Sequence, residues 1–261
     1  MKKKCTILFL GQKEIGERCF LLLYQLWQKK VINLVVCSNV SKDVWWNSNA
    51  IYLYCKEASI PFISNEARND ELINNCISSY GVSSIVSVQH NWILRDETLK
   101  LVKYSAFNLH LAKLPEYQGY NTFNYAILNK EEKYGVTIHW MTQQVDFGSV
   151  AYYREFSISK MDTAYSLYQK SVMLGEKLFE QLLVDMLADC VPKTDMIGRV
   201  AFYPKKGFEQ YKLISSLENK SNIDLIARAC FFPPFSPAYF LVDEKKYYVV
   251  PANDNYEEGL R

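Results

Sequence analysis

Short apolar runs alternate with longer amphipathic stretches through the first 110 residues of this chain. The apolar runs lack the apolar–polar alternation of a half-exposed strand, so they fit strands that are buried on both faces. Strands separated by helix-sized connections are typical of a parallel sheet with helices on both faces. The sequence therefore predicts an α/β fold with a doubly wound, mostly parallel sheet. The predicted strands are residues 5–10, 31–37, 60–63, 83–88 and 106–110, and the predicted helices are residues 14–29, 45–57 and 70–80.

The pattern changes near residue 134. Residues 134–141 and 149–156 do alternate, which predicts an antiparallel pair of strands joined by a long loop that contains Asp146. Beyond them, leucines at helical spacing predict a long helix, with Asp162 or Thr163 as its N-cap.

The chain after about residue 192 has a different character, with short apolar runs among basic, proline and tyrosine residues. It favours a small β-rich unit. We therefore predict one main domain over residues 1–192 and an appendage over residues 193–261. The predicted strands of the appendage are residues 197–203, 211–215, 238–242 and 246–250.

Composition excludes several classes of protein. The formal net charge of the 261 residues is +2, whereas a general nucleic-acid binder carries a strongly basic face. The seven cysteines are scattered without a Cys-x-x-Cys pair, which argues against a disulfide framework and a structural zinc site. No secretory signal and no membrane-spanning run are visible in the sequence. We therefore expect a cytoplasmic protein with reduced cysteines and no membrane or nucleic-acid partner.

Two glycines follow the first predicted strand, where a nucleotide-binding loop would lie. Gly11 and Gly16 do not have the Gly-x-Gly-x-x-Gly spacing, and no Lys-Ser or Lys-Thr follows Gly16. A tight turn between a strand and a helix explains these glycines, so neither a nicotinamide enzyme nor a P-loop NTPase is indicated.

Two polar residues stand in the apolar strand 106–110. Residues two apart in a strand share a face, so Asn108 and His110 point the same way at the carboxyl end of a strand. Ligands of open α/β sheets bind at that end. Leaving either group buried without a partner would cost roughly 1–3 kcal/mol. The two residues alone are equally consistent with a functional pair and with a hydrogen-bonded structural pair.

A carboxylate in the predicted loop favours the functional interpretation. If Asp146 met His110 in the fold, it would fix the tautomer of the ring and stabilise the imidazolium. Together with Asn108, these residues supply a base, its orienting group and an oxyanion donor, which is the equipment for acyl transfer to an amine.

Four motifs in this order resemble those of the 10-formyltetrahydrofolate formyltransferase family. That family includes glycinamide ribonucleotide formyltransferase, methionyl-tRNA formyltransferase and the nucleotide-sugar N-formyltransferases. The resemblance spans most of residues 5–190. The motifs are Asn108-x-His110, Leu114-Pro115-x-Tyr117-x-Gly119, Gly135-Val136-Thr137-Ile138-His139-x-Met141 and Asp146-x-Gly148.

The resemblance implies a Rossmann-like catalytic domain in which Asn108, His110 and Asp146 are the catalytic residues. It also implies that the formyl donor is 10-formyltetrahydrofolate and that no metal takes part. The pterin is expected near the loop of residues 89–94, held largely by backbone groups. The residues assigned to the donor are Gln89, His90, Trp92, Ile93, Leu94, His139 and Met141.

The acceptor is indicated by departures from one branch of the family. Methionyl-tRNA formyltransferases tend to carry Arg where this chain has Gln118 and Pro where it has Thr122, and the chain has no room for their C-terminal tRNA-binding barrel. Residues 119–127 look more like the bacterial sugar N-formyltransferases. We therefore predict formylation of a dTDP-linked amino-dideoxy sugar, dTDP-4-amino-4,6-dideoxyglucose, in the synthesis of a surface glycan such as lipopolysaccharide O-antigen.

The tail offers groups that suit a nucleotide sugar. Lys205 and Lys206 are candidates for a diphosphate contact, and the aromatic residues 231–235 for stacking on thymine. A solvated basic loop with ordinary packing of the tail fits equally well, and similar enzymes form homodimers through C-terminal strands. The residues assigned to the substrate are Gln118, Tyr120, Asn121, Tyr203, Lys205, Lys206 and Phe231.

Four alternatives remain open at this point. The ring position of the amine is not determined, so a dTDP-3-amino sugar is a second acceptor. An enzyme that formylates methionyl-tRNA is a third, and a hydrolase that releases formate from the same folate would lack an amine pocket. An inactive folate- or nucleotide-binding protein would have no need of the set Asn108, His110 and Asp146.

Overall fold

A seven-stranded sheet forms the centre of the fold in a computed structural model, which describes residues 4–215 and 220–252. The order of its strands is β3-β2-β1-β4-β5-β7-β8. The strands are β1 (Thr6–Gly11), β2 (Asn33–Ser38), β3 (Phe62–Ser64), β4 (Ser84–Val88), β5 (Ala106–His110), β6 (Gln118–Gly119), β7 (Lys133–Trp140), β8 (Val150–Ser157), β9 (Phe202–Tyr203), β10 (Ala238–Val242) and β11 (Lys245–Val249).

Helices connect these strands and cover the sheet. They are α1 (Lys13–Gln28), α2 (Ala50–Ala58), α3 (Asp70–Tyr80), α4 (Asp96–Leu101), α5 (Thr122–Leu128), α6 (Ala164–Ala188) and α7 (Lys220–Cys230). None of the helices within the described ranges is long and apolar enough to cross a membrane.

Strands β1 to β5 within the sheet run parallel, and β7 and β8 are antiparallel to their neighbours. The doubly wound, mostly parallel sheet predicted from the sequence is confirmed. The register of β5 against β7 pairs Asn108 with His139 and His110 with Thr137. This register brings two of the predicted motifs side by side.

The apolar strands are buried on both faces, as their lack of alternation predicts. Ile7 and Phe9 belong to the core cluster that α1 and α6 cover, whereas Leu8 and Leu10 belong to the cluster beneath α3. All four side chains are at most 1% exposed. Burying a side chain of this size contributes about 1.5–3 kcal/mol, so the two-sided burial fixes the middle layer of the domain.

Helix α6 begins where the sequence places it. The Thr163 hydroxyl accepts the Ser166 backbone N–H, and the Ser166 hydroxyl accepts the Thr163 N–H in return, forming a capping box. Thr163 is therefore the N-cap. The carboxylate of Asp162 accepts from the Ser159 N–H and from Lys170 instead.

The second predicted helix, over residues 45–57, is wrong at its start. Helix α2 begins only at Ala50, because the preceding residues form a loop that is tied back on itself. The Asn49 amide donates to the Val40 carbonyl, and the Asn39 amide donates to the carbonyls of Ser41 and Ser48. These side-chain bonds compete with the first turn of a helix.

The appendage contains the antiparallel pair β10–β11, and its strand β9 pairs in parallel with β6 of the main domain. Two of its predicted strands are wrong: residues 197–203 contribute only Phe202–Tyr203, and residues 211–215 hold the end of a 3₁₀ turn, Phe208–Lys212, and an isolated bridge from Leu213 to Tyr239. The sequence interpretation also missed α7, whose Ala227 and Cys230 are buried at helical spacing. Residues 216–219 and 253–261 of the predicted appendage lie outside the described residues.

Candidate active site

Asn108 and His110 stand at the carboxyl end of β5, between β4 and β7 in the sheet. Their spacing of two residues puts both side chains on one face of the strand. Ligand sites of open α/β folds lie at this edge. The structure therefore gives the two residues the position that the sequence predicts for them.

His110 lies between two hydrogen-bond acceptors. Its Nε2 is 2.8 Å from the carbonyl oxygen of Tyr117, and its Nδ1 is 3.5 Å from Oδ1 of Asp146. The imidazole is largely buried, with 9% of the residue exposed. Each ring nitrogen thus faces an acceptor, and the Asp146 carboxylate would stabilise an imidazolium formed during a reaction. The structure brings Asp146 to His110, as the sequence hypothesis requires.

The Asp146 carboxylate is held in place by a turn. Its Oδ2 accepts the backbone N–H of Gly119 at 3.0 Å, and its own carbonyl accepts from Nε2 of Gln118 at 2.9 Å. Asp146 has a positive φ of 49°, a conformation that Asp tolerates better than most residues. The sequence assigned Gln118 to the substrate, whereas the structure buries it and uses its amide to fix this turn.

Gly148 completes the same turn. Its φ is +139°, and a Cβ at this position would collide with the carbonyl oxygen of Trp140. Only glycine fits such a close approach of two backbone segments. The Asp146-x-Gly148 motif therefore has a backbone reason as well as a chemical one.

His139 fixes the orientation of the Asn108 amide. Its Nδ1 donates to the Trp140 carbonyl at 3.1 Å, so its Nε2 is free to accept from Nδ2 of Asn108, also at 3.1 Å. Burial lowers the pKa of His139 from 6.5 to about 4, which keeps the ring neutral at pH 7. The sequence assigned His139 to the donor, but both of its nitrogens are engaged within the protein.

The buried histidine makes the stability of the fold depend on pH. The unfolded chain takes up a proton at His139 near pH 6.5, whereas the native ring does so only near pH 4. The free energy of unfolding should therefore fall as the pH drops from 6.5 to 4, by up to about 1.4 kcal/mol per unit. His90, whose pKa burial also lowers to about 4, adds to the slope.

Urea unfolding between pH 7 and pH 4.5 measures this slope. His139→Gln keeps an acceptor for Asn108 but does not titrate, so its stability should change less with pH than that of the unaltered protein. Equal slopes for the two proteins would contradict the assignment.

The loop assigned to the donor, residues 89–94, follows β4 at the same edge of the sheet. Leu94 is buried in the core cluster beneath α3, and Trp92 and Met141 pack against that cluster. Ile93 is exposed. Nδ1 of His90 is buried, with no hydrogen-bond partner among the described residues. An orphaned buried nitrogen fits a loop that is completed by a bound polar ring.

A lysine that the sequence interpretation did not single out lies against this loop. The ammonium of Lys13 donates to Oε1 of Gln89 at 2.7 Å and lies 5.9 Å from the centre of the Trp45 ring. Burial lowers the pKa of Lys13 to about 8. Its φ of +63° is strained for a residue with a long side chain. The turn at Gly11, two residues before Lys13, could have drawn attention to this lysine, but the spacing of Gly11 and Gly16 did not predict a ligand site.

The remaining residues assigned to the substrate fall into two groups. Tyr120 is half exposed, with the Lys205 ammonium 5.9 Å from its ring, and Lys206 is also exposed. Asn121 is the N-cap residue of α5 and has a positive φ of 55°. Its side chain makes no capping hydrogen bond.

Tyr203 and Phe231, by contrast, make contacts within the protein. The ring of Tyr203 is stacked on Tyr117 and Tyr125, and its hydroxyl accepts from Asn129. The Phe231 carbonyl accepts the backbone N–H of Tyr165.

A cavity of about 500 Å³ borders the Asp146 turn. Met141, which the sequence assigned to the donor, lines this cavity, and so do Phe147 and Gly148. The volume lies within the usual range of ligand sites, about 300–1,000 Å³. The other lining residues are Tyr104, Trp140, Thr142, Ser149, Lys193, Asp195 and Met196.

Comparison with known proteins identifies the class of the chain. Residues 7–183 match the model of the formyl transferase family. The chain belongs to this family. The predicted class, a folate-dependent formyltransferase, is thereby confirmed, and the three residues predicted to be catalytic lie within the matched region.

Relatives and solved structures that are similar to this chain include N-formyltransferases. GDP-perosamine N-formyltransferase from Brucella melitensis biotype 1 is 29% identical over 195 residues, which cover 75% of this chain and 74% of the relative. The structure of a 4-N formyltransferase from Francisella tularensis superposes with a TM-score of 0.77 at 15% identity, covering 94% and 96% of the two chains.

An N-formyltransferase from Helicobacter canadensis, solved with folinic acid and dTDP-3-aminofucose, superposes with a TM-score of 0.72 at 20% identity, covering 93% of this chain and 86% of the other. These structures cover 94% and 93% of this chain, so the likeness in fold extends past residue 192.

Proposed function

We propose that this protein transfers the formyl group of 10-formyltetrahydrofolate to the amine of a sugar linked to a nucleoside diphosphate. The observation that carries the proposal is the cluster of Asn108, His110 and Asp146 at the carboxyl edge of the sheet. The sugar N-formyltransferases similar to this chain support the class of acceptor.

The folate donor supplies a formyl group whose carbonyl carbon is open to attack by an amine. Asn108 is placed to donate to the formyl oxygen, where negative charge develops. One N–H of its amide is used by Nε2 of His139, and the other is left for the oxygen. The neutral His139 thus orients the amide without competing for the charge.

His110 is placed to take the proton that the amine loses and to pass it to the folate nitrogen, which leaves as tetrahydrofolate when its bond to the formyl carbon breaks. Nε2 of the ring donates to the Tyr117 carbonyl, so the acquired proton is held at Nδ1, next to the Asp146 carboxylate. Asp146 then stabilises the imidazolium and holds the ring in one orientation. The Gly119 N–H and the Gln118 amide keep Asp146 in position throughout.

The acceptor has two separate features, the ring position of its amine and the base of its nucleotide. The sequence predicts dTDP-4-amino-4,6-dideoxyglucose, and the Francisella tularensis structure is that of a 4-N formyltransferase. The Helicobacter canadensis structure holds a dTDP-3-amino sugar, which supports the alternative ring position. The Brucella relative acts on a GDP-linked sugar, so the base is a separate question from the ring position.

A panel of acceptors tests the proposed function. The purified protein is supplied with 10-formyltetrahydrofolate and a dTDP-4-amino, a dTDP-3-amino or a GDP-4-amino sugar, and release of tetrahydrofolate is measured. At least one nucleotide sugar should react about 100-fold or more faster, in kcat/KM, than the same amino sugar without its nucleotide, because the remote part of a substrate lowers the barrier. If methionyl-tRNA reacted and none of the nucleotide sugars did, the proposal would be overturned.

A further inference from the structure

A second cavity, of about 270 Å³, opens beside the first turns of α1. It is lined by the carboxylates Glu14 and Glu17 and by the rings of Trp45, Trp46, Tyr165 and Tyr168. The volume is slightly below the usual range for whole ligands, so it suits one ring system and not an entire nucleotide sugar.

Two side chains that line the cavity have polar groups without hydrogen-bond partners among residues 4–215 and 220–252. The Tyr168 hydroxyl and the Trp46 indole N–H are buried, and neither has a hydrogen-bond partner within the described part of the chain. Tyr168 is only 3% exposed. Buried donors without partners are uncommon in folded proteins, and a bound polar ring would supply the missing acceptors.

The two carboxylates differ in their surroundings. Oε1 of Glu14 accepts the Arg18 guanidinium at 2.9 Å, so its charge is balanced within the protein. Glu17 is half-buried, and burial is the main cause of an upward shift in its pKa, which a hydrogen bond with the Ser48 side chain offsets only in part. A ligand that donates hydrogen bonds to Glu17 would offset the remainder.

The cavity is close to the catalytic edge of the sheet. Gly11 at the end of β1 pairs with Val88, and Val88 pairs with Leu109, the neighbour of His110. Two strand spacings correspond to about 10 Å. Lys13 lies between the two regions, with its ammonium near both Gln89 and the Trp45 ring. Along this path the aromatic cavity comes first, the Lys13 ammonium second and the predicted catalytic residues third.

We infer that this cavity binds the base of the acceptor nucleotide and that it selects guanine. The inference rests on the proposed function and names the base of its substrate. The aromatic rings offer stacking to any base, so they do not select. Selection comes from the carboxylate of Glu17, which accepts from the two adjacent donors of guanine, N1–H and the N2 amino group. The Trp46 N–H and the Tyr168 hydroxyl donate to the acceptors of guanine, O6 and N7.

Thymine and uracil do not complement these groups. Each presents a single N–H flanked by two carbonyl oxygens, which a carboxylate would repel. The base inferred from the structure thus differs from the thymine predicted from the sequence. The location overlaps with that prediction in part, because Pro233 of the aromatic tail segment also lines the cavity.

Calorimetry on the full-length protein with GDP, dTDP, UDP and ADP tests the inference. GDP should bind at least about tenfold more tightly than the other three, the discrimination expected of one bidentate contact to a base. In Glu17→Gln, the affinity for GDP should fall about 10–100-fold, as for loss of hydrogen bonds to a charged group, while the affinity for dTDP should not fall.

Two further variants complete the experiment. Trp46→Phe keeps a ring but removes the N–H, and it should weaken GDP more than dTDP. Glu180→Gln, an exposed change on α6, is the matched control and should leave both affinities unaltered. Tighter binding of dTDP than of GDP, or an unchanged GDP affinity in Glu17→Gln with an unaltered melting temperature, would overturn the inference.

The two proposals fail in distinguishable ways. Formylation of a dTDP-linked sugar without preference for GDP would leave the formyl transfer standing and reject the guanine site. Preferential binding of GDP that depends on Glu17, without formylation of any nucleotide sugar, would support the base site and reject the proposed function.

Discussion

Replacing His110 by alanine is expected to lower kcat by about 10²–10⁴-fold, the usual contribution of a positioned acid–base group. The proton lost by the amine would then have no acceptor next to Asp146. Alanine is a small apolar residue at a buried position, and the strand β5 that carries it is held on both sides by β4 and β7. We therefore expect the fold to survive.

Steady-state kinetics with a saturating amino sugar measure the effect, and a binding titration with 5-formyltetrahydrofolate shows whether the donor site is intact. The variant should bind this folate as the unaltered protein does. A kcat within a few fold of the original would remove His110 from the mechanism.

Asp146→Asn should lower kcat by about 10²-fold or more while changing KM only a few fold, because the interaction that it removes is strongest with the imidazolium. Asparagine retains an oxygen for the Gly119 N–H, so the turn should persist. What is lost is the negative charge 3.5 Å from Nδ1 of His110.

The control for this variant is Asp189→Asn. Asp189 is an exposed residue with a positive φ of 58° at the end of α6, where asparagine is also accepted. It should retain full activity. If Asp146→Asn raised KM while leaving kcat unaltered, Asp146 would be a residue that binds substrate and does not act through the histidine.

The parts of the fold that follow from burial were predictable from the sequence. Strand β5 and helix α3 have the bounds expected from their patterns, because a two-sided core demands an unbroken apolar run and an amphipathic helix a repeated stripe. The short helices α4 and α5 were not predicted, since six or seven residues hold too few turns to show a period.

The sequence predicts the chemical groups of the candidate site, but it does not predict the hydrogen bonds that hold them in place. The spacing of two residues in β5 predicts that the side chains of Asn108 and His110 share a face, and the family resemblance adds Asp146. The bond from Asn108 to His139 depends on the register of β5 against β7, which no local pattern specifies. The Gly119 N–H on the Asp146 carboxylate depends on how two distant turns meet, and these contacts emerge only in the folded chain.

Following the formyl carbon tests most directly whether a formyl group moves from folate to a sugar amine. The protein is incubated with 10-formyltetrahydrofolate carrying ¹³C in the formyl group, together with the nucleotide amino sugars, and the products are followed by NMR. We predict that the label appears in an N-formyl amide on a nucleotide sugar, with one tetrahydrofolate formed for each amide. Label that appears only as free formate, with every nucleotide amino sugar left unmodified, would contradict the account.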